Sequence, residues 1–227
     1  MTEPERHHHH GPQGQTPALG DLFSQAFWDQ RYQASGALWS GHPNPQLLAE
    51  AADLPVGKAL DAGCGEGADA IWLAERGWLV TAADISTVAL DRGAAHAGEL
   101  SSELAERITW QQADLLSWAP PPQSYDLVSA QFMQLPAEPR AAFFGRIGTG
   151  VSTGGRLLVV GHSPADLNTT AARPPLPELF FTAAEVAVGL DPSLWTILVS
   201  EARPRLVRDP DGQPVTVHDE VIVAKRN

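Results

Sequence analysis

Two patterns of apolar residues divide this chain, and the change from one to the other marks where a sheet begins. From Asp21 to Ala34 the large apolar residues Phe23, Phe27 and Trp28 gather on one side of a helix that Asp21 is placed to cap. Asn44 followed by Pro45 is an N-cap with proline at the first helical position, so Gln46–Ala52 reads as a second helix. Between them, Gly36 to Pro43 carries Trp39 and His42. From Lys58 the pattern becomes strand, turn, helix, repeated. Lys58–Asp61 predicts a short buried strand and Gly63–Gly67 a turn. Asp69–Arg76 is a helix stopped by Gly77. Trp78–Asp84 is a second strand, and Ser86 caps a helix through Ala97. Ile108–Gln112 and Tyr125–Ala130 are strands three and four. Glu138–Val151 is a helix, and Gly155–Gly161 the fifth strand. This alternation predicts an α/β fold with a doubly wound, mainly parallel sheet. The end of the chain differs. Thr182 and Glu185 have capping-box spacing for a short helix. Trp195–Ala202 and Val215–Ala224 flank the turn Asp209-Pro210-Asp211-Gly212, which predicts an antiparallel hairpin closing a sheet of seven strands.

Composition narrows the class. Of 227 residues, 43% are hydrophobic and 19% charged, which fits a folded chain rather than a disordered one. The single cysteine, Cys64, excludes an internal disulfide framework. No run of eighteen apolar residues is present, so no membrane span is expected. Residues 1–20 lack the apolar core of a secretory signal, which leaves cytoplasmic as the default location. They are polar and rich in Pro, Gly and His, and read as a disordered tail. Within it, His7–His10 read as a purification tag or a native tract; four consecutive imidazoles have no fixed geometry, and no metal is expected. That leaves 21–227 as one domain, with residues 21–52 as a helical lid. The formal net charge of -12 repels phosphate backbones. A small-molecule partner is therefore expected, with neither nucleic acid nor membrane, and the chain as monomer or homodimer.

The chemistry concentrates at Leu60-Asp61-Ala62-Gly63-Cys64-Gly65-Glu66-Gly67-Ala68. A glycine turn after the first strand brings backbone close to a ligand, and the next helix offers its free N–H groups. These glycines also satisfy the dinucleotide fingerprint G-x-G-x-x-G/A, so they do not by themselves separate a nicotinamide enzyme from other nucleotide binders. Carboxylates at three successive strand ends do more. Asp61 precedes the turn, where it would oppose a pyrophosphate but suit a ligand with a positive amino group. Asp84 ends strand two, where an acid takes both hydroxyls of a ribose. Asp114, in Gln112-Ala113-Asp114-Leu115, is placed to accept from an exocyclic adenine amine.

With these residues in hand, the chain resembles the class I S-adenosylmethionine-dependent methyltransferases. LDAGCGEG resembles that family's first motif, VTAADIS the acidic second-strand motif, QADLL the adenine motif, and YDLVSAQF and GGRLLVVG the fourth and fifth strands. The aromatic start FWDQRYQASGALWSG is similar to the tellurite-resistance and thiopurine S-methyltransferase-like branch. The resemblance implies a Rossmann-like sheet, S-adenosylmethionine as cofactor and S-adenosylhomocysteine as product. It implies that Gly63, Gly65 and Gly67, with Cys64 between them, pass beside the cofactor. It further implies that Asp61 holds the amino group, Asp84 the ribose and Asp114 the adenine N6. Ile85 and Leu115 would pack on the adenine, and Gln131 would lie near the methionine part. Trp28, Tyr32 and Trp39 would close over the site, with Trp28 and Tyr32 on the cofactor side, while Phe27 reads as core. Cys64 reads as a small residue that fits the turn, not a nucleophile.

For the acceptor, His162 follows strand five and is a candidate general base, with an ordinary pKa near neutrality. Trp39, His42, Gln134 and Arg173 are candidate substrate contacts, Met133 points to the same region, and Arg173 sits in a Pro-rich cover, Ala165–Pro177. The expected function is methyl transfer to a small-molecule nucleophile, a thiol or another soft acceptor. The alternatives are O- or N-methyl transfer to a small metabolite, a catalytically silent cofactor-binding domain, and an NAD(P)-dependent oxidoreductase.

Overall fold

The computed structural model describes residues 20–36, 41–174 and 176–227. The expected tail, its His7–His10 run and Trp39 lie outside them. Seven helices and seven strands are described, in the order α1 (Gln25–Gln33), α2 (Pro45–Ala51), β1 (Lys58–Ala62), α3 (Ala68–Glu75), β2 (Leu79–Asp84), α4 (Thr87–Leu100), α5 (Ser102–Ala105), β3 (Ile108–Gln112), β4 (Tyr125–Gln131), α6 (Ala137–Gly148), β5 (Val151–His162), α7 (Ala183–Val188), β6 (Trp195–Arg208) and β7 (Pro214–Arg226). One sheet holds all seven strands in the order β3-β2-β1-β4-β5-β7-β6. The first five run parallel, and β7 lies antiparallel between β5 and β6. The order reverses between β1 and β4, which opens a crevice at the C-terminal strand ends.

Both faces of the sheet are covered, because neighbouring residues on a strand point opposite ways. Leu60, Val128, Leu157 and Ile222 pack with Phe143, Phe144 and Ile147 of α6. Ala59, Val80, Leu127, Leu158 and Val221 pack with Leu47 of α2 and Trp72 and Leu73 of α3. Burying each such Leu, Ile or Phe stabilises the fold by roughly 1.5–3 kcal/mol.

Several boundaries move for identifiable reasons. Ser24, not Asp21, caps α1, its hydroxyl accepting from the Phe27 N–H, and Asp21–Phe23 forms a 3-10 turn ahead of it. The helix expected to reach Val151 ends at Gly148, and Val151 instead begins β5. Trp78 is not in β2 but is buried in the core. The hairpin strands run well past their expected ends, β6 to Arg208 and β7 to Arg226. Asn44 does stand at the N-cap of α2, yet its side chain makes no capping bond. Instead its N–H and side-chain amide both donate to Asp69, at 2.7 and 2.8 Å. The Ser86 cap and the Thr182–Glu185 capping box form as expected.

Candidate functional site

The C-terminal strand ends open into a cavity of about 1720 Å³. Single drug-sized ligands occupy pockets of roughly 300–1,000 Å³, so this one has room for two molecules. Its lining includes every expected cofactor residue: Trp28, Tyr32, Asp61, Gly63, Cys64, Gly65, Gly67, Asp84, Ile85, Asp114, Leu115 and Gln131. His42, Gln134, His162 and Arg173 line it as well. Phe27, expected in the core, lines it too.

The turn after β1 is held from β2. Gly63 and Cys64 donate their N–H groups to the Ala83 carbonyl at 2.8 and 3.1 Å, and Gly65 donates to Asp84 Oδ2 at 2.9 Å. Asp84 Oδ1 accepts from the Ser86 N–H at 2.9 Å. One carboxylate therefore shapes the turn and still faces the cavity. Gly67 has φ +82°, and a Cβ there would collide with the Trp110 ring. Backbone conformation and packing both demand glycine at that position. Trp110, on β3, was not singled out in the sequence.

Asp61, Asp69 and Asp84 converge beside this turn. Burial raises the Asp61 carboxyl well above the usual carboxylate range, and the charges of Asp69 and Asp84 raise it further. Burial also raises Asp69 and Asp84, against the hydrogen bonds each accepts. Asp61 Oδ2 is buried with no hydrogen-bond partner. Such a group needs a cationic donor to be ionised. A ligand bearing an ammonium group at one end fits this, and a pyrophosphate does not. The Cys64 thiol is likewise pushed up by burial and by Asp61 and Asp84, which argues against a thiolate nucleophile.

The adenine candidate is more occupied than expected. Asp114 Oδ1 accepts from the Leu116 N–H and Oδ2 from the Ser117 hydroxyl, both at 2.9 Å, so this acid shapes its own turn at the cavity rim. From the lid side, Trp28 and Phe27 pack edge to face, and Tyr32 is 2% exposed. Asp29 of α1 anchors that helix to the start of α4, accepting from the Ser86 hydroxyl at 2.6 Å and the Val88 N–H at 3.3 Å. Asp29 lies within a quoted motif and Asp69 just beyond another, but nothing in the local pattern shows that they tie the N-terminal helices to the turn after β1.

His162 departs most from expectation. Burial first, then the positive charges of Arg173 and Arg205, lower its pKa to about 3. It stays neutral near pH 7 and is too weak a base for the role assigned to it. Its ring stacks on Phe132 at 4.6 Å, and Nδ1 is buried without a partner. Phe132 itself has φ +55°, a strained conformation for a bulky residue, and lines the cavity.

Comparison with known proteins agrees with this geometry. Residues 59–155 match the family described as "Methyltransferase domain". The matched segment lies within the sheet and includes the turn after β1, so the chain is similar to methyltransferases where the cavity is built. S-adenosylmethionine, the methyl donor of such enzymes, has the ammonium group that the unpartnered Asp61 oxygen calls for. The chain is 31% identical to a probable thiol methyltransferase 2 of Arabidopsis thaliana over 46% of each chain. It is 30% identical to thiocyanate methyltransferase 1 of Brassica oleracea over 48% of this chain and 49% of that one. The matches thus span about half the length of these relatives. Among solved structures, TehB from Haemophilus influenzae shares the fold with a TM-score of 0.64 at 18% identity, over 89% of this chain and 67% of that one. The seven-stranded Rossmann-like sheet expected from the sequence is therefore present.

Proposed function

We propose that this chain transfers the methyl group of S-adenosylmethionine to a small-molecule acceptor, a thiol or another soft nucleophile. The observation that carries the reading is Asp61: a buried carboxylate with an unpartnered oxygen, set beside a glycine turn that Asp84 holds. In this reading Asp61 holds the amino group, Asp84 the ribose hydroxyls and Asp114 the adenine amine. Ile85 and Leu115 pack on the base, and Gln131 lies by the methionine part. When bound, the cofactor supplies an electrophilic methyl on a positive sulfur. The chain orients the partners and excludes water. Positioning of this kind contributes on the order of 7–11 kcal/mol. Residues 21–52 act as the lid, and the Trp28 ring beside a sulfonium would add about 0.5–2 kcal/mol of cation–π attraction. The names of the two plant relatives support a sulfur acceptor.

Calorimetric titration with S-adenosylmethionine, S-adenosylhomocysteine and NADH tests this. Saturable binding of both sulfur nucleosides, weakened by Asp84→Ala, is the expected result. Binding of NADH alone would overturn the reading in favour of an oxidoreductase.

A further inference from the structure

Beyond the cofactor residues, the cavity changes character. Its far half is walled by Phe132, Met133 and Gln134 after β4, His162 at the end of β5, Arg173 between β5 and α7, and Arg205 on β6. Three buried carboxylates lie behind this wall, and all are already engaged. Asp166 accepts from the His218 N–H at 2.9 and 3.1 Å and from Arg173 Nη2 at 3.4 Å. Asp219 accepts from Arg205 Nε at 2.8 and 2.9 Å and from Gln46 at 3.2 Å. Glu220 accepts from the Ser163 hydroxyl at 2.5 Å and the Ala183 N–H at 2.8 Å. None of the three lines the cavity.

The wall thus offers the cavity donors and positive charge, with no carboxylate. Arg173 Nε, both amide atoms of Gln134 and His162 Nδ1 are buried without hydrogen-bond partners. Arg205 uses only Nε in its bonds to Asp219, which leaves its two amino groups without an acceptor among the described residues. Guanidinium groups with free N–H donors on a cavity wall recognise anions.

Resting on the methyltransferase reading, we propose that this half binds the acceptor as an anion, ionised before it enters, with Arg173 and Arg205 as its specificity residues. Gln134 and neutral His162 supply the remaining hydrogen bonds. The groups charged at neutral pH that bear on His162 are Arg173, Arg205 and Asp166, and together with burial they leave it unable to serve as a base. An ionised acceptor needs none. Its lone pair forms the bond to the methyl carbon while the carbon–sulfonium bond breaks. The sulfonium becomes a neutral thioether, the acceptor loses its negative charge in the same step, and no proton remains to be removed. The methylated product is neutral, so both guanidiniums lose their hold on it.

The test uses the full chain saturated with S-adenosylhomocysteine, titrated with 4-nitrothiophenol, thiophenol and the neutral 4-nitrothioanisole across a pH series. The thiolate of 4-nitrothiophenol should bind at least tenfold tighter than 4-nitrothioanisole. The pH midpoint of binding should move with the pKa of each thiol. Arg173→Met should reduce the preference at least several-fold and leave the affinity for S-adenosylhomocysteine unchanged. Arg205→Lys, which keeps a cation beside buried Asp219, should reduce the preference without lowering the melting temperature. Equal binding of thiolate and thioether, or one pH midpoint shared by both thiols, would overturn the proposal. Failure of S-adenosylhomocysteine to bind would instead overturn the methyltransferase reading beneath it.

Discussion

The two halves of the cavity are built by different means. The cofactor half is assembled from the ends of three adjacent parallel strands, β1, β2 and β3, whose register aligns Ala62 with Ala83 and Asp84 with Gln112. Its polar groups are acidic, and main-chain N–H groups hold them in place. The acceptor half draws on segments that follow β4 and β5 and on the long antiparallel strand β6. Its polar groups are guanidinium, amide and imidazole, held by carboxylates behind them. One half is an acidic crevice that demands a cation; the other is a donor-rich wall with no carboxylate of its own. With 27 acidic against 15 basic residues in the chain, a cavity wall without a carboxylate stands out.

The contrast can be broken most severely at Asp84. Asp84→Ala removes the carboxylate that accepts from both Gly65 and Ser86. Two ribose hydrogen bonds to a charged group contribute about 1.5–3 kcal/mol each, so calorimetry should show S-adenosylmethionine affinity falling about 10²–10⁴-fold. Asp61→Asn should act in two directions. The folded-state pKa of Asp61 is raised, so the native state binds more protons than the unfolded chain above the ordinary carboxylate range, and stability falls as pH rises there. The neutral amide removes that penalty. Thermal unfolding at pH 7 should show the ligand-free variant more stable than wild type, while its cofactor affinity drops at least tenfold. Asn44→Ala tests whether the lid is tied to the cofactor half. It strips both Asn44 side-chain and packing support from buried Asp69, and an unsatisfied buried group costs about 1–3 kcal/mol. Chemical denaturation should register that loss.

His162→Gln should do least, and it sharpens the comparison from the acceptor side. A general base contributes typically 10²–10⁴-fold to rate, whereas losing one neutral hydrogen bond should reduce kcat/KM by less than about tenfold and leave the pH profile unchanged. Stability carries the signature instead. With a folded pKa of about 3, His162 binds its proton later than the unfolded chain does, so stability declines as pH falls from the ordinary histidine range toward 3. The glutamine variant should flatten that decline in an acid unfolding series.

The same division governs what could be read in the chain beforehand. Asp61, the glycine turn, Asp84 and Asp114 are local features, because a strand end and the turn after it are consecutive in sequence. The acceptor wall is not local. Arg205 lies beyond Ala202, where the apolar pattern of its strand fades, and only the continued pairing of β6 with β7 carries it to the cavity. Arg173 was identifiable, but its support by Asp166 was not, since that carboxylate also binds His218 from another element. The neutrality of His162 follows first from burial and then from Arg173 and Arg205, and neither its burial nor its neighbour on β6 is visible in the local sequence. Phe27 was placed in the core because helical spacing alone does not distinguish a face turned to protein from one turned to a cavity.

The insertion of β7 between β5 and β6 bears on how the protein is made. Synthesis delivers β1 to β4 and the cofactor turn early, and they can associate as they emerge. Strand β5 must then wait for a partner on its far side, because β6 emerges first yet pairs only with β7. During that interval on the ribosome, β5 presents an open edge of backbone donors and acceptors to other nascent chains. The crevice at the ends of β1 to β3 can thus form before Arg205 reaches the cavity, and the β5 edge stays open in between.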